Sequence, residues 1–122
     1  MADDDADDRA IVQDAMELLD AGDVMTFTEN GEELLDLLQR SFTELTCPSL
    51  IVLDLNMPKM NGTQTLSRLK ADKNFKDIPV IIYSTSINPL EKQKCLSLGA
   101  DHFFDKSTEY ESLLKTLEKY RN

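Results

Sequence analysis

The apolar positions of this chain change period repeatedly, from the three-to-four-residue spacing of helices to unbroken runs and back. Within residues 6–20, Ile11, Ala15, Leu18 and Leu19 fall on one helical face, which ends near Gly22. Val24, Met25, Thr26, Phe27 and Thr28 form a short stretch of strand-favouring residues. After the Asn30-Gly31 turn, Leu34, Leu35, Leu37 and Leu38 predict a helix over residues 32–42. Leu50-Ile51-Val52-Leu53 and Val80-Ile81-Ile82-Tyr83 are continuous apolar runs, the pattern of strands covered on both faces. Further helices are expected over residues 63–71, 89–98 (stopped by Gly99) and 109–120, with a short strand at His102-Phe103-Phe104. Strands alternating with helices imply right-handed βαβ units and a parallel sheet. The expectation is one doubly wound α/β domain over residues 1–122.

One element of that pattern is missing. The first helix follows an acidic cluster that only Met1 and Ala2 precede, so the opening strand is truncated or absent. Burial lost with a central strand is expected to cost several kcal/mol at roughly 25 cal/mol per Å², and to leave the acidic cluster anchored mainly by the first helix. Such a chain is expected to be shortened at its N-terminus, poorly stable alone, or completed by another chain.

Charge narrows the function classes. Thirteen Lys and Arg oppose 23 Asp and Glu, a formal net charge of −10. Nucleic-acid binding draws its affinity from cations and is excluded as an expectation; no apolar run is long enough for a membrane span. The acidic N-terminus is neither a secretory nor a transit signal, so the expected compartment is the cytoplasm. Cys47 and Cys95 lack metal or redox spacing and are expected to be ordinary thiols.

In open parallel sheets, ligands bind beyond the carboxyl ends of the strands. Asp3, Asp4 and Asp5 precede the first helix, Asp54 ends one apolar run, Ser84 and Thr85 end the next, and Lys106 follows the last. Clustered carboxylates at close range need a cation, and a hard ion such as Mg²⁺ prefers oxygen ligands. With that charge relieved, a phosphoryl group can approach the Asp54 carboxylate, and in-line transfer then needs little beyond positioning and neutralisation. The Lys106 ammonium and Ser84 hydroxyl suit the remaining phosphoryl oxygens. Asp5, Asp7 and Asp8 are read as solvated or capping residues, and His102 as a surface or edge residue.

The acidic pair before the first helix, the run L-D-L-N-M-P-K-M-N-G at residues 53–62, Ser84 and Lys106 together resemble the CheY-like receiver domains of bacterial response regulators. The resemblance spans the whole chain. It implies a five-stranded parallel sheet in the order 2-1-3-4-5 with helices on both faces. It also implies that Asp54 is the phosphorylation site, Asp4 a direct metal ligand, Asp3 a ligand acting through water, and Asn56 a ligand through its carbonyl. Ser84 becomes the switch hydroxyl, Lys106 the ammonium contacting phosphate, Phe103 the aromatic that changes rotamer, and Gly62 the residue letting the loop turn into its helix. The implied cofactor is Mg²⁺, and the implied donor is a sensor histidine kinase or histidine phosphotransfer protein. The implied protein is a switch rather than an enzyme, a monomer or weak homodimer, with no output domain.

Two departures stand out. Ser107 holds the place where receivers usually carry proline, so the loop after Lys106 is expected to be more mobile or differently set. Tyr83 and Ser86 lie near the path of a hydrolytic water and are expected to tune the lifetime of the phosphorylated state. Two other functions compete. A small Mg²⁺-dependent phosphohydrolase with an aspartyl-phosphate intermediate normally uses an Asp-x-Asp pair, and Asp54-Leu55-Asn56 lacks the second acid. A degenerate receiver serving only for docking would not need its acceptor residues.

Overall fold

The computed structural model describes residues 1–18, 26–43, 48–85 and 88–120. The expected roles of Leu19, Gly22, Val24, Met25, Cys47 and Ser86 fall outside those residues. In chain order the elements are α1 (Ala6–Leu18), α2 (Gly31–Thr43), β1 (Ile51–Leu53), α3 (Gly62–Ala71), β2 (Val80–Ser84), α4 (Pro89–Ser97), β3 (His102–Asp105) and α5 (Tyr110–Tyr120).

The two apolar runs become β1 and β2, every residue of which is buried. They pair in parallel, with Leu53 opposite Ile82, and β3 joins the far edge of β2 with Phe103 opposite Ile82. Alternate residues serve opposite faces, as the pleat requires. Ile51, Leu53, Val80, Ile82 and Phe103 face a core completed by α2, α3 and α4, including Leu38, Leu66 and Cys95. Val52, Ile81 and Tyr83 face the other core with Val12 and Met16 of α1 and Leu113 and Leu117 of α5.

The opening strand survives as a single residue. Ala2 forms parallel bridges to Leu53 on one side and Thr28 on the other. The order is therefore 2-1-3-4-5, with the first two positions held, among the described residues, by bridges rather than full strands. Four backbone hydrogen bonds define the seam. Ala2 N–H donates to Val52 and Asp54 N–H to Ala2 (both 2.9 Å), while Asp3 N–H donates to Thr28 (3.0 Å) and Thr28 N–H to Met1 (2.8 Å). Met1 lies in one core and Ala2 in the other. The Arg9 guanidinium donates to the Asp3 carbonyl at 2.7 Å. This corrects the expectation that the acidic cluster hangs mainly from the first helix, because backbone bonds hold it from both edges.

The first helix corrects a second expectation. Its buried face is Val12, Ala15 and Met16, whereas Ile11 is 44 % and Leu18 76 % exposed. Both apolar sets fit a 3.6-residue period; packing against α5 and the sheet selects the one rotated toward Val12. Other boundaries follow local chemistry. Asn61 and Gln64 form a reciprocal capping box at the start of α3, and Asn88 with Pro89 opens α4. Gly99, at φ 110°, follows α4 in a conformation that side chains disfavour.

Candidate functional site

The carboxyl ends of the strands converge as the sequence predicts. Asp54 follows β1 directly and is 5 % exposed, Ser84 ends β2 fully buried, and Lys106 follows β3. Lys106 N–H donates to the Ser84 carbonyl at 2.9 Å, which ties the lysine to the end of β2. The seam at Ala2 places Asp3, fully buried, and exposed Asp4 alongside.

Carboxylate oxygens of Asp3, Asp4 and Asp54 lie within 4.8 Å of one another. The donor set is all oxygen, and the burial of two members against the exposure of the third leaves the cluster open on one side. That combination fits a hard divalent cation that retains water. Burial, and then the Asp3 charge, push the Asp54 carboxyl up to about 6; Lys106, the Ser84 hydroxyl and the Asn56 N–H partly oppose them. The site is thus short of positive charge at neutral pH.

Lys106 is the ammonium already present. Its Nζ donates to Asp3 Oδ2 at 2.6 Å and to Asp8 Oδ2 at 2.8 Å, and lies 3.6 Å from Asp54 Oδ1. Burial works against its charge. Hydrogen bonds to Asp3 and Asp8, with the Asp54 charge, outweigh that penalty and hold its pKa above the ordinary lysine value. Asp3 is fixed at both oxygens, since its Oδ1 accepts the Asp5 N–H at 2.9 Å.

Two further placements refine the reading. Asp5 caps α1, with Oδ1 accepting the Asp7 N–H at 2.9 Å, as expected. Asp8 does not behave as a merely solvated or capping residue, because it grips Lys106. It lies one turn before Val12, on the side of α1 that packing buries. Phe103 is 7 % exposed and packs in the core. Tyr83 turns into the α1–α5 core, and burial raises its pKa. The loop after Lys106 is set by Asp105, whose Oδ1 accepts both the Ser107 hydroxyl and the Ser107 N–H, the latter at 2.8 Å. There is no cis peptide bond among the described residues. His102 stacks on Phe104 with ring centroids 5.5 Å apart.

Gly62 opens α3 and also permits a close approach of backbones. A Cβ there would sit 2.8 Å from Leu55 Cα and 2.9 Å from the Asp54 carbonyl carbon. The start of α3 is pressed against the backbone that carries Asp54, with Gly62 N–H donating to Leu55 at 3.0 Å. Gly62→Ala is expected to cost about 1–3 kcal/mol as the backbones separate, read as a lower urea midpoint. An unchanged midpoint would show that the loop yields freely.

This order of strands, with acids, a hydroxyl and an ammonium gathered at their carboxyl ends, is the architecture of two-component signalling receivers. The chain belongs to the response regulator receiver domain family, whose model matches residues 1–118. It is similar to the two-component response regulator ARR17 of Arabidopsis thaliana, with 32 % identity over 85 % of this chain and 71 % of that protein. It also resembles the phosphorylated cyanobacterial phytochrome response regulator RcpA, at TM-score 0.83 and 28 % identity, covering 97 % of this chain and 86 % of the other. The Mn²⁺-bound form of response regulator Rcp1 matches at TM-score 0.77 and 25 % identity, covering 97 % and 86 %. Receiver domains are switches in phosphorelay signalling, and the Asp3, Asp4 and Asp54 cluster fits a divalent metal. Among the described residues no helix is long and apolar enough to cross a membrane.

Proposed function

We propose that residues 1–122 form one receiver unit in which Asp54 accepts a phosphoryl group from a phosphohistidine on a sensor kinase or phosphotransfer protein. The observation that carries this reading is the surroundings of Asp54. A buried carboxylate with a raised pKa bonds the Ser84 hydroxyl and the Asn56 N–H, with Lys106 Nζ 3.6 Å away and two further acids at the same rim. In the transfer, an Asp54 oxygen forms a bond to phosphorus as the phosphorus–nitrogen bond of the donor breaks. The bonding pair returns to the imidazole, and the product is a mixed anhydride on Asp54. Lys106 and Ser84 supply hydrogen bonds to the phosphoryl oxygens. Asp4, Asp54 and the Asn56 carbonyl would hold Mg²⁺, with Asp3 acting through water because both its oxygens already accept hydrogen bonds. Bound there, the ion would supply charge neutralisation between the carboxylates and the incoming phosphoryl group. A kinase donor implies a cytoplasmic setting and a change of partner binding as the output, with Phe103 and Ser84 as the switching residues. The protein acts as a switch, with at most slow loss of its own phosphoryl group.

The test is intact-mass measurement after incubation with a small phosphodonor, with and without Mg²⁺, alongside Asp54→Asn. One labile phosphoryl group, dependent on both Mg²⁺ and Asp54, is the expected result. Rapid multiple turnover of phosphomonoesters would move the chain to the hydrolases, and no adduct under any condition would leave a docking module.

A further inference from the structure

The Lys106 ammonium has three N–H donors. Two make short bonds, to Asp3 at 2.6 Å and Asp8 at 2.8 Å, while Asp54 at 3.6 Å is beyond hydrogen-bond reach. The lysine that should serve the acceptor is therefore held away from it. Its two holders differ. Asp3 is fully buried and fixed at its second oxygen by the Asp5 N–H, so releasing it would strand a buried charge. Asp8 is 26 % exposed at its side chain and lies in the first turn of α1, where solvent and the helix N-terminus can stabilise a released carboxylate.

We propose that Asp8 is a positioning residue: it latches Lys106 to α1 in the resting state and gives it up when a phosphoryl group occupies Asp54. This rests on the reading of Asp54 as acceptor. Nζ must close on Asp54 to reach a group there, and the contact that yields is the partly solvated one. Asp8 thus opposes the occupied state, both by competing for the ammonium and by adding negative charge beside it. It also carries the change outward, since losing the Lys106 contact alters the first turn of α1.

The test is the affinity of the full chain for beryllofluoride, a phosphoryl mimic, with Mg²⁺, measured by calorimetry. Four proteins are compared: parent, Asp8→Asn, Asp8→Glu and Asp7→Asn. Asp7 is the control, an exposed acid in the same helical turn that, among the described residues, forms no ion pair with Lys106. Asp8→Asn is expected to bind about three- to ten-fold more tightly, the scale of one net hydrogen bond. Asp8→Glu should return toward the parent, and Asp7→Asn should shift affinity less than about two-fold, as an exposed charge does. Amide NMR shifts at Asp8 and Arg9 on beryllofluoride binding should be present in the parent and reduced in Asp8→Asn, provided its circular dichroism melt shows it folded. Unchanged or weaker binding by Asp8→Asn, or the same gain from Asp7→Asn, would overturn the latch. If Asp8→Asn does not fold, absence of the Asp8 and Arg9 shifts in the parent overturns it alone. Failure of the parent itself to bind beryllofluoride with Mg²⁺ would instead overturn the acceptor reading on which the latch depends.

Discussion

A Lys106→Met variant is expected to unfold about 3–5 kcal/mol more easily than the parent at neutral pH without divalent cations, the usual cost of removing one partner from a buried ion pair. Methionine fills a similar volume, so the loss is electrostatic rather than a packing cavity. It leaves the fully buried Asp3 with the Asp5 N–H but no counter-charge, beside a second buried carboxylate on Asp54. Urea denaturation monitored by circular dichroism measures it, and saturating Mg²⁺ should restore part of the loss by mass action. A change below about 1 kcal/mol would mean that the acids are solvated or otherwise neutralised, contrary to their burial. The pH range follows from the raised lysine pKa. Its stabilisation is full below the ordinary value of 10.5 and disappears only in more alkaline solution.

Asp54→Asn is expected to act in the opposite direction, stabilising the metal-free protein by roughly 1–3 kcal/mol at pH 7. The carboxyl titrates at about 6 in the fold against 3.8 in the unfolded chain, owing first to burial and then to Asp3. A raised acid pKa means that the folded state binds its proton more tightly, so ionisation weakens the fold. The penalty is absent below about 3.8, grows through the interval to about 6 and is constant above it. The gain from Asp54→Asn should follow that profile in denaturation experiments across pH 3.5 to 7.5. Mg²⁺ should narrow it by stabilising the parent more than the variant. A gain independent of pH would show that asparagine improves local packing instead.

The sheet and its helices were legible because long apolar runs admit few alternatives. A strand such as Val80–Ser84, buried at every position, cannot be a surface element. The rim residues were legible for a related reason, since strand ends in a parallel sheet meet at one edge. Asp8 was not. Its significance depends on the rotation of α1, and Ile11, Ala15 and Leu18 offer the same period as the buried set of Val12, Ala15 and Met16. Only packing against α5 and the sheet separates the two faces, and periodicity carries none of that. The truncation of the opening strand is legible in the sequence, but the anchoring of its remnant is not. Counting apolar residues weighs side chains, whereas Ala2 contributes through its backbone, bonded to Val52 and Asp54 while its neighbours Met1 and Asp3 bond Thr28.

That seam makes two properties of the molecule into one equilibrium. The residues that close the sheet between Thr28 and Leu53 are continuous with those that present Asp3 and Asp4. A fluctuation that parts the sheet there also dismantles the cluster of acids, and a cation held by that cluster would stabilise the same join from the other end. Cation occupancy and the width of the sheet's thermal breathing would then be reciprocal. The chain's readiness to receive a phosphoryl group would be written in how often its central ladder opens.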